Sequence, residues 1–147
     1  MSVVEPAPPG SATASRAARM RAPVLTIGAL AATTLALHLR DPHDSGSWGY
    51  CPSAALGFAC PGCGGLRAVN DLTHLDVAAA ASSNLAFVVA LPFLIVGLGW
   101  WTLRRWRGAP ALGVPGPRLR VAGYAACALL VVFTVLRNLP VGSWLAP

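Results

Sequence analysis

Residues 85–103 read LAFVVALPFLIVGLGWWTL, 19 consecutive residues without a formal charge. At about 1.5 Å per residue this run crosses most of the roughly 30 Å hydrocarbon core of a bilayer as a helix. Pro92 removes one internal backbone bond and predicts a kink, while Gly97 and Gly99 permit close approach of a neighbour. Trp100, Trp101 and Trp106 cluster where the run meets Arg104, Arg105 and Arg107. Indole rings beside a charged stop belong at a membrane interface, so they read as anchors and not as a cofactor box.

Two further runs flank this one. Pro23 to Leu39 holds 17 residues and no charge, and 16 uncharged residues separate Arg120 from Arg137. Each crosses only as a short span, with arginines reaching to the interfaces in the second case. Composition agrees: 55% of the 147 residues are hydrophobic, 11% are charged, and the mean hydropathy is +0.60. A soluble surface of this size needs more charge, whereas a lipid-facing one needs almost none.

The expected fold is therefore an all-α membrane protein with helices over about 23–39, 84–103 and 119–138. Residues 1–22, with Pro6, Pro8, Pro9 and Gly10, have no apolar periodicity and read as a disordered cytoplasmic tail ahead of one membrane domain, 23–147. Leu37-His38-Leu39-Arg40 offers no small-x-small cleavage site, so the first helix reads as uncleaved. Between the second and third runs, Gly108, Pro110, Gly113, Pro115, Gly116 and Pro117 break helix.

The formal charge of +6 comes from 11 arginines, no lysine and five acidic residues. Such an excess raises nucleic acid as a partner, but its distribution argues otherwise. Arg16, Arg19, Arg21, Arg104, Arg105, Arg107, Arg118 and Arg120 all fall before the first run or between the second and third. With three spans these places share one side, which the positive-inside rule makes cytoplasmic. The N-terminus is then cytoplasmic, and residues 40–83 and the C-terminus face outside.

That outer segment carries the chemical signal. Asp41 to Tyr50 is dense in Asp, Pro, Gly and Ser, and Cys51 and the stretch Cys60-Pro61-Gly62-Cys63-Gly64-Gly65 follow. Two thiols two residues apart form a disulfide, a redox pair or half of a soft-metal site. Cys51 adds a third sulfur, with His43 or His74 as fourth ligand if the metal is zinc. Cys51 paired with Cys60 or Cys63, or Cys60 paired with Cys63, would instead staple the loop in an oxidising compartment. Cys127, inside the third run among alanines, reads as a small apolar residue.

Leu66, Val69, Leu72 and Leu75 recur at three-residue steps and predict a short interfacial amphipathic helix after the cysteine loop. Arg67, Asp71 and His74 should lie on its polar face, where local pairing of Arg67 with Asp71 competes with anion binding. Asn84 marks the approach to the second span. Arg137-Asn138 ends the third at the same outer interface, where with Asn84 it is placed to organise the cysteine loop, bind a lipid headgroup or contact a partner. Arg67 and Arg137 are the candidate contacts for an anion or lipid headgroup, and Pro61, Gly62, Gly64, Gly65 and Asn84 shape the loop.

Cys51-Pro52 followed by Cys60-Pro61-Gly62-Cys63-Gly64-Gly65-Leu66-Arg67 resembles the DUF2752 family of small bacterial membrane proteins. Cys51, Cys60, Pro61, Gly62, Cys63, Gly64, Arg67 and Asn84 match that family's pattern. Leu66 stands where the pattern commonly has Thr, and Leu85 where it has Pro, which removes a hydroxyl nucleophile and loosens the expected start of the second span. The resemblance implies a bacterial inner-membrane location and supplies no reaction.

These features together point to a non-enzymatic accessory or assembly subunit of a larger membrane complex. Other integral membrane proteins are its expected partners, anionic lipids are a second class, and nucleic acid is not expected. Alternatives are a metal-binding or thiol–disulfide protein using Cys60 and Cys63, with zinc the one candidate cofactor, and a component of lipid handling or transport.

Overall fold

The computed structural model describes residues 15–44, 48, 52–110 and 113–146. Cys51 and residues 1–14 lie outside them. The fold is all-helical, with no strand among the described residues, and three of its helices are long and apolar enough to cross a membrane.

The first, α1 (Arg16–Leu39), starts before the expected Pro23. Ser15 caps it, its hydroxyl accepting the Ala18 N–H at 3.3 Å. Arg16 to Ala22 is rich in alanine, arginine and methionine, all strong helix formers, so the cap sets the start and Pro23 is absorbed inside. After a one-turn helix, α2 (Pro52–Ala55), comes α3 (Gly65–Thr73), the expected short helix behind the cysteine loop.

Its faces differ from those the leucine spacing suggests. Ala68, Asn70 and Asp71 are buried, while Leu66 is 47% and Leu75 88% exposed. Leu75 lies beyond the last turn in a left-handed conformation, φ 64°, so it does not continue the stripe. In a protein bathed by lipid the apolar side chains have no need to turn inward. The polar ones do, because hydrocarbon offers them no partner.

Asn70 Nδ2 accordingly donates to the Leu37 carbonyl at 2.8 Å, satisfying an acceptor at the end of α1. The rings of His38 and His74 stack at 4.4 Å across the same junction. Ser83 Oγ donates to Asp71 Oδ2 at 2.8 Å and ties α3 to the helix that follows.

That helix, α4 (Val77–Arg107), is two helices in line, since Asn84 has extended backbone at φ −160° and ψ 91°. Asp76 caps the first part at Ala79, and Asn84 Oδ1 caps the second by accepting the Phe87 N–H at 2.9 Å. The span expected to begin near 84 therefore does so, preceded by a short helix that the alanine-rich sequence favours. Gly108, with φ 70°, ends it in the left-handed conformation that a side chain disfavours.

The last span, α5 (Pro117–Arg137), begins with proline in its first turn. Its residues 118–132 are exposed throughout, and it meets the rest of the chain near its final turn. A 3-10 segment, Pro140–Leu145, folds back there. Gly142 is buried against α5, and a Cβ on it would run into the Leu136 carbonyl. Gly142→Ala should therefore lower thermal stability in mild detergent by about 1–3 kcal/mol, as overpacking does. Gly123→Ala, at an open position on α5, should leave it unchanged; equal effects from the two would contradict this packing.

Candidate functional site

Pro61 to Gly64 form tight turns between the two cysteines and α3. The Cys63 N–H donates to the Cys60 carbonyl at 3.0 Å, and the Gly65 N–H to the Gly62 carbonyl at 2.9 Å. Gly64 sits at φ 78° as the N-terminal cap of α3, a backbone conformation that glycine adopts without strain. Two reversals in so short a stretch bring Cys60 Sγ to 3.4 Å from Cys63 Sγ.

That separation is a contact of two thiols. A disulfide needs about 2.05 Å, so the two sulfurs are unbonded in this structure and no disulfide is present among the described residues. Pairings through Cys51 fall outside the described residues. Cys63 is 8% exposed, with Ser53 Oγ at 3.5 Å from its sulfur, while Cys60 is half-buried. Hydrogen bonding to Ser53, and then to Cys63, holds the Cys60 thiol below its ordinary range. The Gly62 and Cys63 N–H groups add to this, and partial burial opposes it.

The loop is gripped through its carbonyls by residues far away in sequence. Arg137 Nη1 donates to the Cys60 carbonyl at 2.9 Å and Nη2 to the Cys63 carbonyl at 3.3 Å. Asn84 Nδ2 reaches the Pro61 and Cys63 carbonyls at 2.9 and 3.0 Å. Asn138 pairs with the backbone of Ala59 on both sides, its Oδ1 accepting the N–H at 2.8 Å and its Nδ2 donating to the carbonyl at 2.9 Å. Arg137 and Asn138 thereby fasten the end of α5 to the loop.

Arg137 is unusual because it is 2% exposed yet faces neutral groups: two carbonyls, and the Phe133 ring at 4.9 Å. No carboxylate among the described residues lies within salt-bridge distance of it. The titratable groups that feel its charge are Cys63 and Cys60. A buried cation without a counter-ion is costly, and a thiolate on either sulfur reduces that cost.

The other expected site residues go elsewhere. The His43 ring donates from Nδ1 to Asp41 at 2.7 Å and holds Nε2 3.4 Å from Asp71. The His43 backbone N–H, and then its ring, keep the Asp41 carboxyl below the usual range. His74 donates from Nδ1 to the Asn70 carbonyl at 2.9 Å. Neither histidine joins the cysteines, and no set of three or more His, Cys, Asp or Glu suited to a metal gathers among the described residues. Arg67 contacts the Pro42 carbonyl at 3.5 Å in place of the expected Asp71. Arg137, expected at an interface facing headgroups, is enclosed by the loop it holds.

Sequence reasoning missed Ser53 as a neighbour of the thiols, whereas Asn138 was among the polar groups expected to organise the loop. A polar pair closing an apolar run was the one available signal for Asn138. Ser53 carries none.

Residues 51–98 match the family model DUF2752, described as a protein of unknown function. No curated protein and no solved structure matches the chain. The matched stretch includes the cysteine loop, α3 and Asn84. It leaves out Arg137 and Asn138, so the clasp from α5 lies beyond it.

The depressed Cys60 thiol should keep reacting with iodoacetamide as pH falls below the range where an ordinary thiol has become protonated. Cys63 should lag at every pH because it is buried. Mass mapping of the alkylated sites checks both, and equal rates with an ordinary midpoint would contradict the geometry.

Proposed function

We propose that this DUF2752-bearing chain is a membrane-embedded dithiol that exchanges electrons with disulfides outside the cytoplasm, Cys60 attacking and Cys63 resolving. The observation that carries the reading is the 3.4 Å pair, with its half-buried outer sulfur held toward thiolate and its inner sulfur 8% exposed. Thiol exchange needs that asymmetry: one accessible nucleophile, and one protected thiol close enough to displace it.

The Cys60 thiolate attacks one sulfur of a substrate disulfide, forming a mixed disulfide and releasing the other substrate sulfur as a thiolate, which takes up a proton. Cys63 loses its proton and attacks the Cys60 sulfur, closing Cys60–Cys63 and releasing the second substrate thiol. Two electrons pass from the dithiol to the substrate disulfide, and reversal of the same steps oxidises a substrate dithiol. Arg137 and Asn84 hold the backbone between the two sulfurs while the bond forms and breaks.

The arginine distribution supports an N-terminus in the cytoplasm and a C-terminus outside, in a bacterial inner membrane. The cysteine loop then faces the oxidising side, where disulfide substrates occur. A second reading, an assembly subunit of a larger membrane complex, is favoured by α5, whose exposed length this chain does not cover. The two are compatible, since a redox loop fastened to one end of α5 leaves the rest of that helix for a partner.

In a Cys51→Ser, Cys127→Ser chain, only Cys60 and Cys63 remain. Equilibrated with reduced and oxidised glutathione in mild detergent, that protein should interconvert reversibly between dithiol and disulfide, read by intact mass after alkylation. A pair that stays in one state across all buffers would contradict exchange. Near-stoichiometric zinc that disappears in Cys60→Ser would replace exchange with metal binding.

A further inference from the structure

At the opposite end of the helices from the cysteine loop, α1 and α4 enclose an apolar groove of about 550 Å³. Met20, Ile27, Ile95, Gly99, Leu103 and Trp106 form its walls. From Met20 to Ile27 it runs about 10 Å along α1, at 1.5 Å per residue, from the arginine-bearing end toward the middle of the span. The Thr102 hydroxyl on the same wall already donates to the Leu98 carbonyl at 2.8 Å, so the groove offers little to a polar solute.

The mouth of the groove is strongly basic. The Arg16 guanidinium lies 4.7 Å over the Trp106 ring, and Arg19 donates to the Arg105 carbonyl at 3.3 Å, which places the start of α1 beside the end of α4. Arg21, Arg104 and Arg107 belong to the same ends. All four described carboxylates, Asp41, Asp44, Asp71 and Asp76, lie toward the other end, so no acidic side chain among the described residues balances these cations. Arg105 Nε is in addition buried without a hydrogen-bond partner.

We infer that this groove binds an anionic phospholipid, with one acyl chain between α1 and α4 and its phosphate accepting hydrogen bonds from Arg16 and Arg105. Charge complementarity selects the lipid: an apolar channel open toward the bilayer fits a chain, and a cationic rim without carboxylates fits a headgroup of net negative charge. Trp106 bridges the two parts, its ring on the groove wall and its face under Arg16. This site is separate from the dithiol, and its existence does not depend on thiol exchange.

Native mass spectrometry of the full chain, titrated with phosphatidylglycerol or phosphatidylcholine of identical acyl chains, tests it. One phosphatidylglycerol should be retained at least about tenfold more tightly, Arg16→Gln or Arg105→Gln alone should reduce that preference by about fivefold, and the double variant should hold the two lipids equally. Gly99→Leu should fill the groove and release both lipids, since a Cβ at Gly99 meets no atom within 4 Å and the fold can accept the side chain. Gly97→Leu is equally unobstructed, lies on the same helix outside the groove, and should leave binding intact. Equal retention of the two lipids, an unaffected Gly99→Leu protein with unchanged helix content, or displacement of phosphatidylglycerol by inorganic phosphate alone would each overturn the inference.

Discussion

A guanidinium buried at the end of a membrane span is the constraint on which this structure turns. Arg137 is 2% exposed and spends its hydrogen bonds on the carbonyls of Cys60 and Cys63. An ion so enclosed needs well-placed acceptors, and the cysteine loop supplies them only in the conformation that directs both carbonyls at α5. Asn84 imposes the same conformation from α4, sharing the Cys63 carbonyl and adding that of Pro61. The 3.4 Å approach of the two sulfurs follows from a loop held from both sides.

Lipid as solvent accounts for the rest of the architecture. The buried set is rich in Asn70, Asp71, Ser83, Asn84 and Arg137, while valines, leucines and isoleucines cover the outside. Hydrogen bonds between membrane helices average only about 0.6 kcal/mol each in measured cases, so no single bond holds the fold. Their value here is register. Asn70 fixes α3 on the end of α1, Asp71 fixes it on Ser83, and Asn84 both breaks the backbone of α4 and starts the spanning part that follows.

The spans were legible because charge is excluded from hydrocarbon, so each apolar run ends where arginine begins. Pro23 misled about the start of α1, since the cap is set by Ser15 and a proline can be absorbed further along. The leucine stripe of α3 misled for a different reason: apolar spacing reports which side faces hydrocarbon, and at a membrane surface that side is the outside. The proximity of Cys60 and Cys63 was readable from their spacing, but the separation of His43 and His74 from them was not. The hold on the loop depends on Arg137 and Asn138 returning to it across more than 70 residues, as with Cys63 and Arg137, 74 apart, and the polar pair that closes the last apolar run is its local signal.

The exchange proposed for this dithiol uses a protected inner sulfur within reach of an outer one. The most direct measurement is trapping in membranes that also contain the natural partners. With Cys51 and Cys127 replaced by serine, Cys63→Ser removes the resolving thiol, and the account predicts accumulation of a mixed disulfide at Cys60 that reductant releases. The matching Cys60→Ser chain should trap none. Equal trapping by both chains, or none by either, would contradict the assignment of Cys60 as the attacking thiol.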